Sequence, residues 1–403
     1  MQTIYFDVNI PKALITRALR PIWPGVIWSP LSPSRLAILP EPPLPGRRWL
    51  RLRNRQSGIC ATDLTLLLVQ ADPRVSMAAL PGLARVYLGH EVVSDVIETG
   101  PDVTTVQVGD RVIMDTRHTG PTCRSQEISP LCHHCSAGNC ARCENQSSGI
   151  GPVGIGGGWG DSYTAHESEI LRVPNDLDDD QAILVEPASV ALRAVLRRKP
   201  DPGERVLIIG CGVIGLLTVC ITRIVAPKTH LSALARYPHQ AEMARRLGAD
   251  EVITGGNEYE KVAHVTGGHL YTGLLGNKML LGGYDVIYDI VGTGQTIKDG
   301  LRWARAGGTI VVVGISLKMI RTDLSPLWHQ EVNLMGSLVH GIESWDGQRV
   351  HGYHRVIRWM RDGSLPTAHL ITHRFPLEEY KEAIATATDK RTGAIKVMFQ
   401  MEH

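Results

Sequence analysis

Three short segments of the chain carry side chains that could hold a metal ion. They are GICATD at 58–63, GHE at 89–91 and EP at 186–187. The thiolate of Cys60, the imidazole of His90 and the carboxylate of Glu186 are all good zinc ligands, and a fourth position would stay open for water or substrate. Each residue alone has an ordinary structural role: a small buried side chain, a core histidine, and a carboxylate favoured at a helix start. Their combination favours a catalytic zinc that polarises a carbonyl or stabilises an alkoxide.

A second group of possible ligands is rich in cysteine. Five of the eight cysteines lie between Cys123 and Cys143. In a chain of this size without an export signal, such a cluster indicates metal binding better than disulfides. The pairs Cys132-x2-Cys135 and Cys140-x2-Cys143 have the spacing of a tetrahedral zinc–thiolate site. We therefore expect a second, structural zinc in this segment.

A glycine-rich turn predicts nucleotide binding. Gly210, Gly212 and Gly215 form G-x-G-x-x-G around Val213 and Ile214, directly after the apolar run RVLIIG. The first glycine allows a tight turn, the second lets the backbone approach a pyrophosphate, and the third lets helix and strand pack closely. Because a strand precedes the motif and a helix follows it, we interpret it as a dinucleotide site, with a plain glycine turn as the alternative.

The end of the next strand bears on the choice of cofactor. An acidic residue there would bind the ribose 2′-hydroxyl and repel a 2′-phosphate. Ala235 occupies that place, and Arg236 follows it. A guanidinium favours a 2′-phosphate, so NADP is preferred over NAD. Alternatively, Arg236 stacks on the adenine or points into solvent, as it could in an enzyme that uses NAD.

The elements that must position these residues predict an α/β protein of two domains. Short β-type runs separated by glycine and proline fill residues 49–115 and indicate a barrel-like domain. Residues 116–160 have little periodicity and form an irregular lobe. From residue 188 onward, apolar strands alternate with helical segments, as in a doubly wound parallel sheet. The proline-rich residues 1–48 oppose long helices, and neither they nor the insertion at 267–283 has a clear role.

The motifs GICATD, GHEVV, EP before a helix, and the glycine turn resemble together the zinc-containing medium-chain dehydrogenase/reductase (alcohol dehydrogenase) family, over about residues 49–400. The resemblance implies a β-rich GroES-like catalytic domain at 1–187 and a Rossmann cofactor domain at 188–340. Residues 341–403 would return to the catalytic domain. A carboxylate as third ligand is similar to the polyol and sugar dehydrogenase branch.

The resemblance also implies roles for the catalytic residues. Cys60, His90 and Glu186 would bind the catalytic zinc, with Glu91 beside it as an occasional or water-mediated ligand. Thr62 would begin the proton relay from the substrate hydroxyl, and Asp63 would orient His90 through its second ring nitrogen. Many relatives place a histidine five residues after the cysteine to finish the relay, but this chain has Thr65 there. The exit route of the proton is therefore open.

For the structural zinc, relatives usually show Cys-x2-Cys-x2-Cys-x7-Cys with a glycine three residues after the third cysteine. Aligning on Gly138 makes the ligands Cys132, Cys135 and Cys143, but the first place falls on Ser129. An insertion would let Cys123 fold back and fill it. We favour the set with Cys123 and keep Cys140 as the alternative ligand, for a total of two zinc ions per chain.

Composition excludes several classes of function. The formal net charge of +2 is too small for a nucleic-acid-binding protein, and the basic run at 47–55 is interpreted as a solvated strand edge. No stretch approaches the ~20 apolar residues of a membrane helix, and the first residues lack the apolar core of a signal peptide. A cytoplasmic protein is expected. The sequence does not fix the oligomer; a homodimer or homotetramer is our expectation.

The predicted function is reversible hydride transfer between NADP or NAD and an alcohol or its carbonyl partner, with a polyol, sugar or secondary alcohol as substrate. Two alternatives remain: a zinc-free quinone or enone reductase on the same fold, and a non-catalytic nucleotide-sensing protein. The first would have no reason to keep Cys60, His90 and Glu186 together. The sequence does not identify the substrate, because pocket residues are scattered through loops.

Overall fold

A computed structural model of the chain describes residues 1–75, 85–115, 120–146 and 153–401. The lobe expected at 116–160 therefore lies partly outside the described residues. The first part of the chain is mainly β, in this order: β1 (Gln2–Asp7), α1 (Ile10–Leu19), β2 (Ser34–Ile38), β3 (Trp49–Gly58), α2 (Ala61–Leu67), β4 (Arg85–Tyr87), β5 (Val92–Thr99) and β6 (Arg111–Met114).

The middle of the chain begins with short elements and then alternates strands with helices. The elements are α3 (His133–Ser136), β7 (Ser162–His166), β8 (Ile170–Arg172), α4 (Asp179–Ala182), α5 (Val185–Arg197), β9 (Arg205–Ile209), α6 (Val213–Val225), β10 (His230–Ala235), α7 (Pro238–Arg246), β11 (Glu251–Thr254) and α8 (Glu258–Thr266).

The remaining elements continue the alternation of strands and helices, and the last strand returns to the β-rich part of the chain. They are β12 (His269–Thr272), β13 (Lys278–Leu281), β14 (Tyr284–Asp289), α9 (Gly294–Trp303), β15 (Ala304–Val312), α10 (Ser325–His329), β16 (Asn333–Gly336), β17 (Ile342–Trp345), β18 (Gln348–His351), α11 (Gly352–Arg361), β19 (Ile371–Phe375), α12 (Tyr380–Thr388) and β20 (Lys396–Gln400).

The predicted doubly wound sheet is confirmed. Six parallel strands lie in the order β11-β10-β9-β14-β15-β16. The chain moves outward from β9 in one direction and then returns to fill the other side, so the order reverses beside β9. Ligands of such sheets bind at this reversal, outside the carboxyl ends of the strands. The turn that follows β9 is therefore placed to receive a nucleotide.

The β-rich part forms a mixed sheet in the order β19-β20-β3-β5-β6-β8, with β7 also paired to β3. The last strand, β20, runs antiparallel to β3, and Met398 lies opposite Gly58. This pairing brings the end of the chain next to the segment that carries Cys60. Strands β3 and β20 are far apart in the sequence, so they come into contact only when the chain folds.

The interpretation of the basic run as a solvated edge was wrong. Strand β3 is a central strand, because it pairs with β20, β5 and β7. Arg51 is buried and pairs with Glu98, and Arg55 lies between Asp95 and Asp179. Successive side chains of β3 point to opposite faces of the sheet. The apolar side chains are buried on one face, and Arg51 and Arg55 pair with acids of neighbouring elements.

Two segments without a sequence interpretation have regular structure. Residues 1–48 form the antiparallel pair β1–β2 and helix α1, which Asn9 caps by accepting a hydrogen bond from the Lys12 amide. The proline near the start of α1 needs no amide donor there, so the helix forms despite the local proline content. The insertion at 267–283 contains the β12–β13 hairpin, with Leu274 and Leu275 exposed at its tip.

None of the described helices combines the length and apolarity needed to cross a bilayer.

Candidate active site

The segments carrying Cys60, His90 and Glu91 meet where β3 and β5 pair. Cys60 precedes α2, and the Gly58 amide donates to the Glu91 carbonyl at 2.8 Å. A sulfur, an imidazole nitrogen and a carboxylate oxygen of the three residues lie within 4.8 Å of one another. These donors suit zinc, and their separations suit a shared metal ion.

Asp63 holds the imidazole of His90. One Asp63 oxygen lies 3.2 Å from His90 Nδ1, and the other accepts a hydrogen bond of 3.2 Å from the Gly89 amide. This contact was expected from the resemblance. With Nδ1 engaged by a carboxylate, the other ring nitrogen is the one available to a metal, and its basicity is increased.

The pKa values of this pair favour the metal-binding form of the thiol. Burial raises the pKa of Cys60, but the neighbouring His90 more than offsets it, so the pKa of Cys60 is lowered. Burial lowers the pKa of His90, but Asp63 and Cys60 raise it well above its usual value. The thiolate is the species that binds metal, so the surroundings of Cys60 prepare it as a ligand.

Lys396 is a residue that the sequence reasoning missed. It lies on β20, is almost fully buried, and forms an ion pair with Glu91 while also donating to the Ile59 carbonyl at 3.3 Å. Gly58 is required here, because a Cβ at that position would collide with the side chains of both charged residues. A lysine inside the apolar strand AIKVMFQ was the available signal, because lysine is rarely buried without a partner.

Glu186 lies on the first turn of α5 and is 7% exposed, but it does not belong to the group of three within 4.8 Å. Burial raises its pKa to about 7, although the charge of His90 lowers it. Burial disfavours the charged form of this carboxylate, so a positive ion near His90 would stabilise it further.

The two threonines of α2 lie in different environments. Thr62 Oγ1 donates to the Cys60 sulfur at 3.2 Å, so its hydroxyl lies within the cluster. Thr65 instead donates to the Ala61 carbonyl at 2.8 Å along its own helix. The place where many relatives have a histidine therefore holds a hydroxyl that is used locally.

A further polar group was also missed, because its members come from distant segments. Asp115, His340 and His351 offer ligand atoms within 4.8 Å of one another. The two histidines lie 3.4 and 3.6 Å from the Asp115 oxygens, and Tyr353 Oη is 3.1 Å from His340 Nε2. Burial raises the pKa of Tyr353, and the charges of Glu186 and Asp115 raise it further. This polar group therefore lies within electrostatic reach of Glu186.

The cysteine lobe brings together four of its five cysteines. The sulfurs of Cys123, Cys132, Cys135 and Cys143 lie within 4.8 Å of one another, and Cys140 does not belong to that group. This is the set favoured from the sequence. Four sulfurs at such distances match the donor set of a structural zinc site.

Amide groups point at these sulfurs. The Cys143 sulfur accepts hydrogen bonds of 3.3 Å from the amides of Cys123 and Asn145. Burial raises the pKa of Cys132, but hydrogen bonds from the amides of Glu144 and Cys135 outweigh it and lower the pKa to about 7. Burial instead raises the pKa values of Cys135, Cys140 and Cys143. The amide contacts therefore favour the thiolate at Cys132.

The glycine turn after β9 has the geometry that its sequence predicts. Gly210 has φ of +95°, and a Cβ on Gly215 would lie 1.8 Å from the Gly210 carbonyl oxygen, so both positions need glycine. A Cβ on Gly212 would meet nothing within 4 Å, which leaves the turn open to a ligand. Val213 and Ile214 begin α6. A phosphate placed here would face the amide groups of the helix start.

The end of β10 lies beside this turn. Ala235 is the last residue of the strand, the Gly210 amide donates to the Leu234 carbonyl at 3.0 Å, and Arg236 is exposed. A further cation lies near it, because the charge of Lys390 adds to burial in lowering the pKa of His239. The neighbouring Arg391 is instead paired with Asp389 at 2.7 Å. Arg236 therefore has a second positive group near it at this edge, which the sequence did not reveal.

Comparisons with known proteins agree with this architecture. Residues 46–175 match the alcohol dehydrogenase GroES-like domain, and residues 213–350 match the zinc-binding dehydrogenase domain. The chain is 26% identical to D-arabinitol dehydrogenase 1 of Uromyces fabae, over 86% of this chain and 88% of that protein. It is 27% identical to L-threonine 3-dehydrogenase of Saccharopolyspora erythraea, over 91% of this chain and 96% of that protein.

A solved structure has the same fold. A protein from Sinorhizobium meliloti 1021, described as a zinc-binding dehydrogenase bound to NADP, superposes with a TM-score of 0.66 at 24% identity, over 91% of this chain and 95% of that one. The two domain matches, in the order that the motifs predicted, cover both the β-rich part and the parallel sheet. The chain therefore belongs to the zinc-containing medium-chain dehydrogenase/reductase family and is an oxidoreductase of the alcohol dehydrogenase type.

Proposed function

We propose that this enzyme transfers hydride between NADP and a secondary hydroxyl of a polyol or sugar-like alcohol, at a zinc held by Cys60, His90 and Glu186. The observation that carries the proposal is the cluster of Cys60, His90 and Glu91, in which Asp63 orients the imidazole. When bound, zinc would polarise the substrate oxygen and favour its alkoxide form. Because Glu91 pairs with Lys396, its carboxylate would lie beside the metal without binding it directly.

Proton removal is assigned to Thr62. Its hydroxyl contacts the Cys60 sulfur, so it lies beside the ligand cluster where a substrate oxygen would be held. A hydroxyl there accepts the substrate proton and passes its own onward. Because Thr65 faces the Ala61 carbonyl, the onward step would use another group or water.

The substrate class is supported by two observations. Asp115, His340, His351 and Tyr353 form a polar group close to Glu186, and such groups can hydrogen-bond several hydroxyls. Among the relatives, one protein is named a D-arabinitol dehydrogenase and another an L-idonate 5-dehydrogenase. Both observations favour a hydroxyl-rich substrate over an apolar alcohol.

The preference for NADP over NAD is supported by the exposed Arg236 after Ala235 and by the nearby positive group Lys390. We further propose two zinc ions per chain, the second held by Cys123, Cys132, Cys135 and Cys143. A homodimer or homotetramer is proposed as the assembly, and light scattering after gel filtration would test it.

The experiment is a specificity panel with metal analysis. The purified enzyme is assayed with NADP and NAD against pentitols, hexitols, aldoses, threonine and simple secondary alcohols. We expect two zinc ions per chain and the highest kcat/KM for a polyol with NADP. A higher kcat/KM with NAD would contradict the cofactor assignment, and turnover confined to threonine or simple alcohols would contradict the substrate class.

The variant Arg236→Gln sharpens the cofactor test. Removing a guanidinium that contacts a 2′-phosphate should lower kcat/KM for NADP about tenfold and leave the value for NAD unchanged. The exposed Arg246 on α7 supplies a matched control, Arg246→Gln, which should change neither value. Equal effects of Arg236→Gln on both cofactors would indicate stacking instead of phosphate recognition.

A further inference from the structure

A cavity of about 270 Å³ lies outside the catalytic cluster. Three parts of the chain meet there: the cysteine lobe, helix α5 and the segment that follows β16. Its lining consists of Arg142, Arg193, Arg197, Gly336, Ser337 and Leu338. Half of these residues are arginines, so the lining is strongly basic.

The charges at this cavity do not balance. Arg193 and Arg197 are one turn apart on α5, and like charges at that spacing repel. Arg142, from the cysteine lobe, lines the same cavity as these two residues and adds a third positive charge. Among the residues that the structure describes, Glu343 is the acid whose charge reaches all three arginines, and it pairs with Arg193. One carboxylate against three guanidinium groups leaves an excess of positive charge.

Two buried polar atoms of the lining also need a partner. Arg193 is 4% exposed, and Ser337 Oγ is buried from solvent. Within the part of the chain that the structure describes, neither Arg193 Nε nor Ser337 Oγ has a hydrogen-bond partner. A buried donor without an acceptor costs about 1–3 kcal/mol. An oxyanion in the cavity would accept from both atoms and offset the charge excess.

This cavity is separate from the glycine turn and from the catalytic cluster. The glycine turn follows β9, whereas Ser337 follows β16, three strands away, which corresponds to about 14 Å across the sheet. Arg193 follows Glu186 by two turns of α5, or about 10 Å along the helix. Neither the pyrophosphate of the cofactor nor a carbonyl at the catalytic cluster therefore reaches these arginines.

We propose that the cavity between α5, the cysteine lobe and the segment after β16 binds a phosphoryl group through Arg142, Arg193, Arg197 and Ser337. A phosphoryl group carries enough negative charge and enough acceptor oxygens to engage several guanidinium groups and a hydroxyl at once. Arg193 forms the buried floor, while the exposed Arg142 and Arg197 form the rim. The group comes from inorganic phosphate or from a phosphorylated small molecule.

The test measures phosphate binding to the full enzyme saturated with NADP, so that the cofactor site is filled. Isothermal titration with inorganic phosphate should show one site per chain. Both Arg142→Gln and Arg197→Gln should weaken it at least about tenfold. These rim residues are exposed, so their replacement should leave the fold intact, which circular dichroism checks. The control Arg246→Gln removes the same charge from α7 and should bind phosphate like the wild type.

A second pair of titrations distinguishes the two sources, with NADPH in place of NADP so that no alcohol is oxidised. Sorbitol 6-phosphate binding more tightly than inorganic phosphate, with loss of the difference in Arg197→Gln, assigns the site to a phosphorylated small molecule. Equal affinities assign it to inorganic phosphate. The proposal is overturned if the cofactor-saturated wild type binds neither ligand, or if the rim variants bind like Arg246→Gln. Because the readout is binding, it does not depend on the proposed catalytic activity.

Discussion

The two groups of zinc ligands are built in opposite ways. The catalytic cluster draws Cys60, His90 and Glu91 from separate segments that the pairing of β3 with β5 brings together. The cysteine lobe takes its four sulfurs from one irregular stretch between Cys123 and Cys143. In the first, the sheet positions the ligands before any metal binds. In the second, little regular structure exists, so the metal itself must supply the order.

This difference predicts different consequences of metal loss. Removing the catalytic ion should leave the sheet intact, because β3, β5 and β20 remain paired. Removing the ion of the lobe should release the lobe, because regular structure in its described part is limited to the four-residue α3 and one short 3-10 turn. The following predictions test this comparison.

The largest effect is expected from Cys60→Ser. Loss of this ligand should remove the catalytic zinc and lower kcat about a thousandfold or more, since the metal contributes several kcal/mol to the barrier. Plasma emission spectrometry should then show one zinc ion per chain, with an unchanged far-ultraviolet circular dichroism spectrum. An active variant with full zinc content would rule out Cys60 as a ligand.

The lobe is tested by comparing Cys123→Ser with Cys140→Ser. The first should lose one zinc ion and at least about 3 kcal/mol of unfolding free energy, because metal binding supplies folding energy there. The second should keep both ions, because Cys140 does not belong to the group of four sulfurs. Zinc counting and urea unfolding measure both effects. Loss of metal in Cys140→Ser alone would reverse the ligand assignment.

The pre-formed nature of the catalytic cluster is tested by Lys396→Met. Removing one partner of a buried ion pair leaves Glu91 uncompensated, which should cost about 3 kcal/mol of unfolding free energy. Adding Glu91→Gln should recover part of the loss, because the unpaired charge disappears. The exposed Lys228 provides the control Lys228→Met, with no change expected. Equal stabilities of Lys396→Met and the control would show that the pair contributes nothing.

The smallest effect concerns the boundary of the two regions, where His351 contacts Asp115 just before the lobe. Burial lowers the pKa of His351 to about 4, and the charge of Arg193 adds to the shift. In this pH range the imidazole of His351 is protonated in the unfolded chain and neutral in the folded chain. The free energy of unfolding therefore decreases as pH falls from about 6.5 toward 4. Between pH 7 and pH 5 this amounts to roughly 2 kcal/mol.

The variant His351→Gln should lose that part of the acid sensitivity in urea unfolding at the two pH values. Replacing the exposed His264 on α8 should leave it unchanged. An identical pH dependence of stability in wild type and His351→Gln would show that folding does not lower the pKa of His351.

Local spacing made part of the molecule predictable. The parallel sheet follows from apolar runs that alternate with helices, and the glycine turn from residues that no other side chain can replace. The metal site of the cysteine lobe was predicted because its cysteines lie in one short segment, whereas the choice of Cys123 over Cys140 came from the resemblance to relatives. Such patterns depend on neighbours in the sequence, so they can be read without knowing the fold.

Tertiary structure decided what depends on distant contacts. Only the pairing of β20 with β3 brings Lys396 to Glu91, and only folding places Asp115 beside His340 and His351. The central position of β3, and thus the burial of Arg51, could not be inferred from a basic run. The sequence alone determined the family motifs, the cofactor turn and the candidate zinc ligands. The structure decided which charges meet, because electrostatic partners are chosen by proximity in space and not along the chain.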